Sequence, residues 1–209
     1  MSHAKFDQSA CQALTECIKE IEKATDAELV VVVRARSDHY RQADYLFGAL
    51  LALAGLLFLV FSPFNFHPYW FVVDVIALFA IGTYMSSHSK TIRHLLTRAT
   101  FRADAVRKSA AATFYDGGIA NTNSEMGVLV YVSLLERRLE LIADRGILKA
   151  VDPLEWNQRL FELHQVGKSP DPESLQTAIK HLGTLLQEHL PATGENPNEL
   201  PDMPRFELK

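Results

Sequence analysis

Two stretches decide how this chain is organised: Tyr45–Phe61, YLFGALLALAGLLFLVF, and Tyr69–Met85, YWFVVDVIALFAIGTYM. From Tyr45 to Val73 there is no Asp, Glu, Lys or Arg. Crossing a bilayer takes roughly 20 mostly apolar residues, or about 17 at the short end. Both runs reach that lower limit and extend into flanking aromatics. Between them, Ser62–Pro68 carries the helix breakers Pro63, Asn65 and Pro68. Tyr45, Tyr69, Trp70 and Tyr84 fall near the ends of the runs, where amphipathic rings favour the headgroup level. The pattern predicts a two-helix transmembrane hairpin over residues 45–87. The other reading is a buried helical pair, but helices apolar all round need more surrounding core than a chain of 209 residues supplies. Asp74, about one turn into the second run, is read as an interfacial or capping carboxylate; an intramembrane relay is the alternative.

Positive charge sets the expected orientation. The connecting loop has no Lys or Arg, whereas Arg34, Arg36 and Arg41 precede the first run and Lys90, Arg93, Arg98 and Arg102 follow the second. Basic flanks stay on the cytoplasmic side, so both termini are expected in the cytoplasm. The first 44 residues are mixed and charged, unlike a signal peptide. Cys11 and Cys17 offer neither a disulfide framework nor a zinc spacing.

The remaining residues read as one α/β domain split by the hairpin, residues 1–44 forming its first part and 88–190 its second. Apolar positions repeat at helical period over 6–24. Leu29–Val33 is a continuous β-branched run, the mark of a strand buried on both faces. Residues 88–116, without Gly or Pro, read as one long basic helix carrying Lys90, Arg93, Arg98, Arg102, Arg107 and Lys108. Such a helix, leaving a membrane span, can lie against anionic headgroups. Gly127–Ser133 and Arg138–Ala143 form a strand pair, helices follow over Leu154–Val166 and Glu173–Leu190, and 191–209 is a Pro-, Glu- and Asn-rich tail expected to be flexible. The first two strands should be parallel and the third antiparallel to the second: a small mixed β-sheet flanked by helices.

That topology gathers Glu28, Glu125 and Asp144 at one end of the sheet. Three oxygen donors suit a hard cation, Ca²⁺ or Mg²⁺; the plainer reading is three solvated carboxylates at loop junctions. Glu136, Arg137 and Arg138 should cluster at the other, membrane-proximal end, as a surface ion-pair network or against headgroups, with a phosphate site as the further alternative. G-x-S-x-G, P-loop, H-E-x-x-H and cysteine-x5-arginine signatures are absent, and the eight histidines contain no i,i+4 pair. His164, His181 and His189 read as packing or surface residues. Neither a net charge of −4 nor any aromatic interleaving of the basic helix supports nucleic-acid binding.

Residues 25–33, TDAELVVVV, and 127–147, GVLVYVSLLERRLELIADRGI, followed by Trp156 and by Glu199-Leu200-Pro201-Asp202, resemble the TPM-domain family. That family includes thylakoid-lumen phosphatase-like and photosystem-repair proteins and many bacterial membrane proteins; the match is to a bacterial subgroup in which a membrane hairpin interrupts the domain. The resemblance implies a compact α/β sandwich, with Glu28, Arg137 and Gly146 at family positions. Some members bind divalent metal, and weak acid phosphatase activity is attributed to a few. Those carry a Gly-x-Gly-Leu-Glu-like stretch where this chain has Asp144-Arg145-Gly146-Ile147-Leu148, so one glycine and the acidic residue are replaced. The function expected is a non-enzymatic, membrane-anchored module for assembly, maintenance or binding of another membrane protein or a second copy. A divalent-metal-dependent phosphatase-like hydrolase is the alternative, and a transporter component a third class.

Overall fold

The computed structural model describes residues 6–64, 67–122, 124–194 and 199–208. Two units are distinct: Met1–Ser37 with Ala103–Lys209, and, inserted between them in sequence, Asp38–Arg102.

The first unit is a mixed α/β fold. Helix α1 (Gln8–Ala24) starts where the Asp7 carboxylate accepts from Ala10 N at 2.9 Å. Strand β1 (Glu28–Arg34) runs parallel to β2 (Gly127–Ser133), Glu28 opposite Gly127. Strand β3 (Arg138–Ala143) returns antiparallel to β2, with Arg137 in a left-handed conformation (φ 54°) closing the turn. The continuous apolar run of β1 arises because both sheet faces are covered. Leu29, Val31 and Val33 meet α1 and α8 (Pro172–His189), while Val30 and Val32 meet Val106, Ala110 and Phe114 of α5 (Ala99–Asp116). Alternating side chains thus enter two different cores. Helices α7 (Pro153–Lys168) and α8 each begin with Asp-Pro: Asp152 and Asp171 accept from first-turn N–H groups, and proline takes a position where no donor is needed.

Two expectations are corrected. The tail contains a fourth strand, β4 (Arg205–Glu207), parallel to β1, so the sheet order is β3-β2-β1-β4. Phe206 meets Phe6 edge-on, with centroids 5.7 Å apart. The supposed single basic helix is two, α4 (Lys90–Leu96) and α5, separated at Thr97–Arg98. The break needs no Gly or Pro, because the Arg102 guanidinium donates to Thr97 O at 2.7 Å and to His94 O, supplying donors that a continuing helix would have provided. A short helix unread in the sequence, α6 (Arg145–Ala150), is capped by Asp144.

The second unit is built on α2 (Arg41–Phe61) and α3 (Pro68–His88), each 21 residues long. They pack antiparallel, as the pairing of Asp44 with Ser86, Gly48 with Thr83 and Gly55 with Leu78 requires. A Cβ on Gly82 would stand 2.9 Å from Gly48 Cα, so the backbones approach through small residues. Asn65 lies outside the described residues.

Candidate functional site

The acidic end of the sheet was the site expected from sequence. Glu28 opens β1, only 4% exposed, and its two carboxylate oxygens accept from Glu199 N and Leu200 N, both at 3.3 Å. Asp144 caps α6, accepting from Arg145 N at 2.7 Å, and its second oxygen is buried. Glu125 is exposed in a left-handed turn (φ 55°), and its carbonyl accepts from Gly146 N at 3.0 Å. A Cβ on Gly146 would come within 2.6 Å of that carbonyl, so glycine is required there. The three carboxylates therefore share an end of the sheet but turn different ways. Glu28 and Asp144 flank Gly127 on opposite sides, about two strand spacings (~10 Å) apart. Among the described residues, no three His, Cys, Asp or Glu side chains converge as a metal would require.

What does gather around Glu28 is a second set that sequence reading missed. Glu22 of α1 accepts from Leu29 N at 3.0 Å, and Asp202 of the ELPD segment lies beside it. Burial first, then the Glu28 and Asp202 carboxylates, push the Glu22 carboxyl up to about 8, against the opposing Leu29 N–H. Burial likewise raises Glu28, against its two strap N–H donors and with the help of Glu199 and Asp202. Glu22, Asp26, Glu28 and Asp202, with Lys19 and Lys23, line a cavity of about 490 Å³. Chemically, this end latches the C-terminal strap (residues 199–208) through buried carboxyl groups. The signal available in sequence was the acidic residue of ELPD, but nothing local pairs it with Glu22.

At the other end, Glu136 leaves the expected surface cluster for a buried polar network, whereas Arg137 stays exposed and Arg138 half-buried. Glu136 is 2% exposed; it accepts from Ser133 Oγ and, at 2.9 Å, from Ser37 N. Ser37 Oγ donates to Ser133 Oγ at 2.8 Å and lies 3.1 Å from Tyr131 Oη, which meets Ser109 Oγ at 2.8 Å. Arg34 donates to Ser109 Oγ at 2.9 Å and pairs with Glu207 at 2.6 Å. The network fastens β1, β2, β4 and α5 to one another, and its hydroxyls already have partners. His181 and His189 of α8 pair with Glu162 and Glu155 of α7, a surface role as read from sequence. The Cys17 thiol is buried in the core, and that burial raises its pKa; it packs rather than reacts.

The inserted unit presents a different kind of surface. Along α2 and α3, large apolar side chains point outward, among them Leu53, Phe58, Val60, Val72 and Ile76, each more than half exposed. Only 22% and 11% of the most apolar stretches of α2 and α3 are buried. At the end where α2 begins and α3 finishes, Asp44 receives Arg93 in a two-pronged pair (Nε–Oδ1 2.9 Å, Nη2–Oδ2 2.6 Å) and Ser86 Oγ at 2.8 Å.

No family model and no curated protein matches the chain. Among solved structures it is similar to the NMR structure of the BA42 protein from the psychrophilic bacterium Bizionia argentinensis. The two share 16% identity over 96% of this chain and 94% of that one, with a TM-score of 0.57. At that identity the likeness concerns the fold alone.

Proposed function

We propose that the chain is a non-enzymatic, membrane-anchored module of the TPM-domain kind. In this reading α2 and α3 cross the bacterial inner membrane as a hairpin, both termini are cytoplasmic, and the α/β unit holds another membrane protein or a second copy for assembly or maintenance of a complex. The observation that carries it is the outward-facing apolar surface of two adjacent helices, each about 31 Å long at 1.5 Å per residue, against a hydrocarbon core about 30 Å thick. In water such a surface would far exceed the patches that soluble monomers expose. The alternative, a divalent-metal-dependent hydrolase, draws no support from the acidic end, where Glu28 is buried under the C-terminal strap.

The test is topology. In intact cells, Ser62→Cys in the connecting loop should react with a membrane-impermeant maleimide, while the native, part-exposed Cys11 should react only after permeabilisation. The chain should stay with membranes through alkaline carbonate washing, and detergent-solubilised chain should co-purify with a membrane protein or itself. A chain that is monodisperse without detergent overturns the anchor. Labelling of Cys11 from outside overturns the orientation.

A further inference from the structure

The basic residues after the second helix look equivalent in sequence, but the fold divides them into two groups. Arg93 is 13% exposed and bound by both prongs to Asp44, itself 6% exposed. Arg102 is committed to the His94 and Thr97 carbonyls that end α4. Arg98, at the break between α4 and α5, and Arg41, opening α2, are exposed and form no ion pair among the described residues. Beside Arg98 stand Leu95 and Phe101, 82% and 58% exposed. Leu95 lies in the last turn of α4, Arg98 in the break and Phe101 in the first turn of α5, so along the chain the elbow carries an exposed cation between two exposed apolar residues.

We propose that this elbow, together with Arg41, seats the anionic headgroup of a bilayer lipid, and that Arg93 and Arg102 take no part. The proposal rests on the anchor reading. Through the Asp44–Arg93 pair and Ser86, α4 is fixed at the end of the helix pair where α2 begins and α3 finishes. The apolar surface of α2 and α3 thus runs on, at that end, to exposed arginines. Leucine and phenylalanine at the edge of hydrocarbon, with guanidinium at phosphate depth, is the arrangement of an interfacial segment. Charge agrees: of this unit's acids, Asp44 is paired with Arg93 and Asp74 lies along α3, leaving Asp38 against Arg41 and Arg98. Guanidinium also matches a phosphodiester geometrically as well as electrostatically.

The experiment uses the full chain with phosphatidylcholine and phosphatidylglycerol of identical acyl chains. Reconstitution into pure phosphatidylcholine vesicles, resistant to carbonate, checks the anchor by itself. Native mass spectrometry of detergent-solubilised chain equilibrated with both lipids then reads headgroup preference. Wild type should retain phosphatidylglycerol preferentially. Losing one arginine should cost roughly fivefold of that retention, and R41Q/R98Q together more than tenfold, with phosphatidylcholine retention and thermal unfolding unchanged because both side chains are exposed. Arg145→Gln, an exposed arginine of the other unit, controls for loss of charge as such and should change nothing. Insertion into phosphatidylcholine without any preference for phosphatidylglycerol, or a preference that survives R41Q/R98Q, overturns the headgroup site alone. Failure to enter either vesicle overturns the anchor reading, and the site with it.

Discussion

Replacing Glu22 with glutamine should make the α/β unit less sensitive to alkali. The carboxyl of Glu22 sits against Glu28 and Asp202 and is pushed up to about 8, whereas in an unfolded chain it would titrate near the ordinary glutamate value of 4.5. Below pH 4.5 both states hold the proton. Between 4.5 and about 8 the unfolded chain has released it and the folded chain has not, so stability falls as pH rises, by about 1.36 kcal/mol per pH unit. Above about 8 both states are ionised and the loss is complete. Taken over the whole interval this amounts to at most about 5 kcal/mol. Glu22 is only part-buried, and water screening at the open side reduces the expected loss to about 1–3 kcal/mol. Glutamine imitates the protonated acid: its amide oxygen can still accept from Leu29 N, its nitrogen can donate to Asp202, and it cannot titrate. The variant should therefore match wild type near pH 5 and exceed it by that amount near pH 9. The measurement is a denaturant titration of the full chain in detergent at both pH values. Exchange of the Glu199 and Leu200 amides serves as the local readout, because intrinsic exchange rates cancel between variant and wild type at equal pH. A wild type-to-variant difference that is the same at both pH values would refute the buried-acid account. So would a variant destabilised throughout.

Three further outcomes follow from single contacts. Arg93→Ala should remove the two-pronged partner of the buried Asp44 carboxylate and cost at most about 3–5 kcal/mol, read as a lowered unfolding temperature in detergent, while the preference for phosphatidylglycerol survives in whatever remains folded. Gly82→Leu should force α2 and α3 apart, since even its Cβ would stand 2.9 Å from Gly48 Cα; a disulfide engineered between positions 44 and 86 should then form far more slowly than in the parent. Calcium or magnesium at millimolar concentration should give a flat isotherm at pH 6, where Glu22 keeps its proton and the strap covers Glu28, and strong binding at that pH would revive the hydrolase reading.

The parts of the fold that could be read from sequence were those fixed by periodicity and burial. β1 announced itself because two cores meet its two faces, and β2 and β3 because a strand, a four-residue turn and an alternating strand lie next to each other. β4 could not be read: three residues carry no period, and their pairing is secured from outside by Glu28, Phe6 and Arg34. The break at Thr97 was hidden for a similar reason, since the side chain of Arg102, five residues on, supplies it. The candidate site shows the same limit. Topology correctly put Glu28, Glu125 and Asp144 at one end of the sheet, but the direction of a carboxylate depends on donors that sequence does not place. Here those donors are the Glu199, Leu200 and Arg145 amides.

Charge counting goes wrong in this chain in a consistent direction. Glu28, Glu136, Arg93 and Arg102 each looked available for a ligand, a headgroup or a surface network, and each is engaged by the fold itself. A buried ionic group without a partner costs several kcal/mol, so a group that has gone inside has done so because an internal partner was already there. Burial together with a good partner therefore argues against a ligand role, and exposure in an apolar setting argues for one. By that criterion the arginines that face outward beside bare leucine and phenylalanine carry more functional weight than the acids that drew attention first. The acids are better understood as what keeps the C-terminal strap closed over the edge of β1.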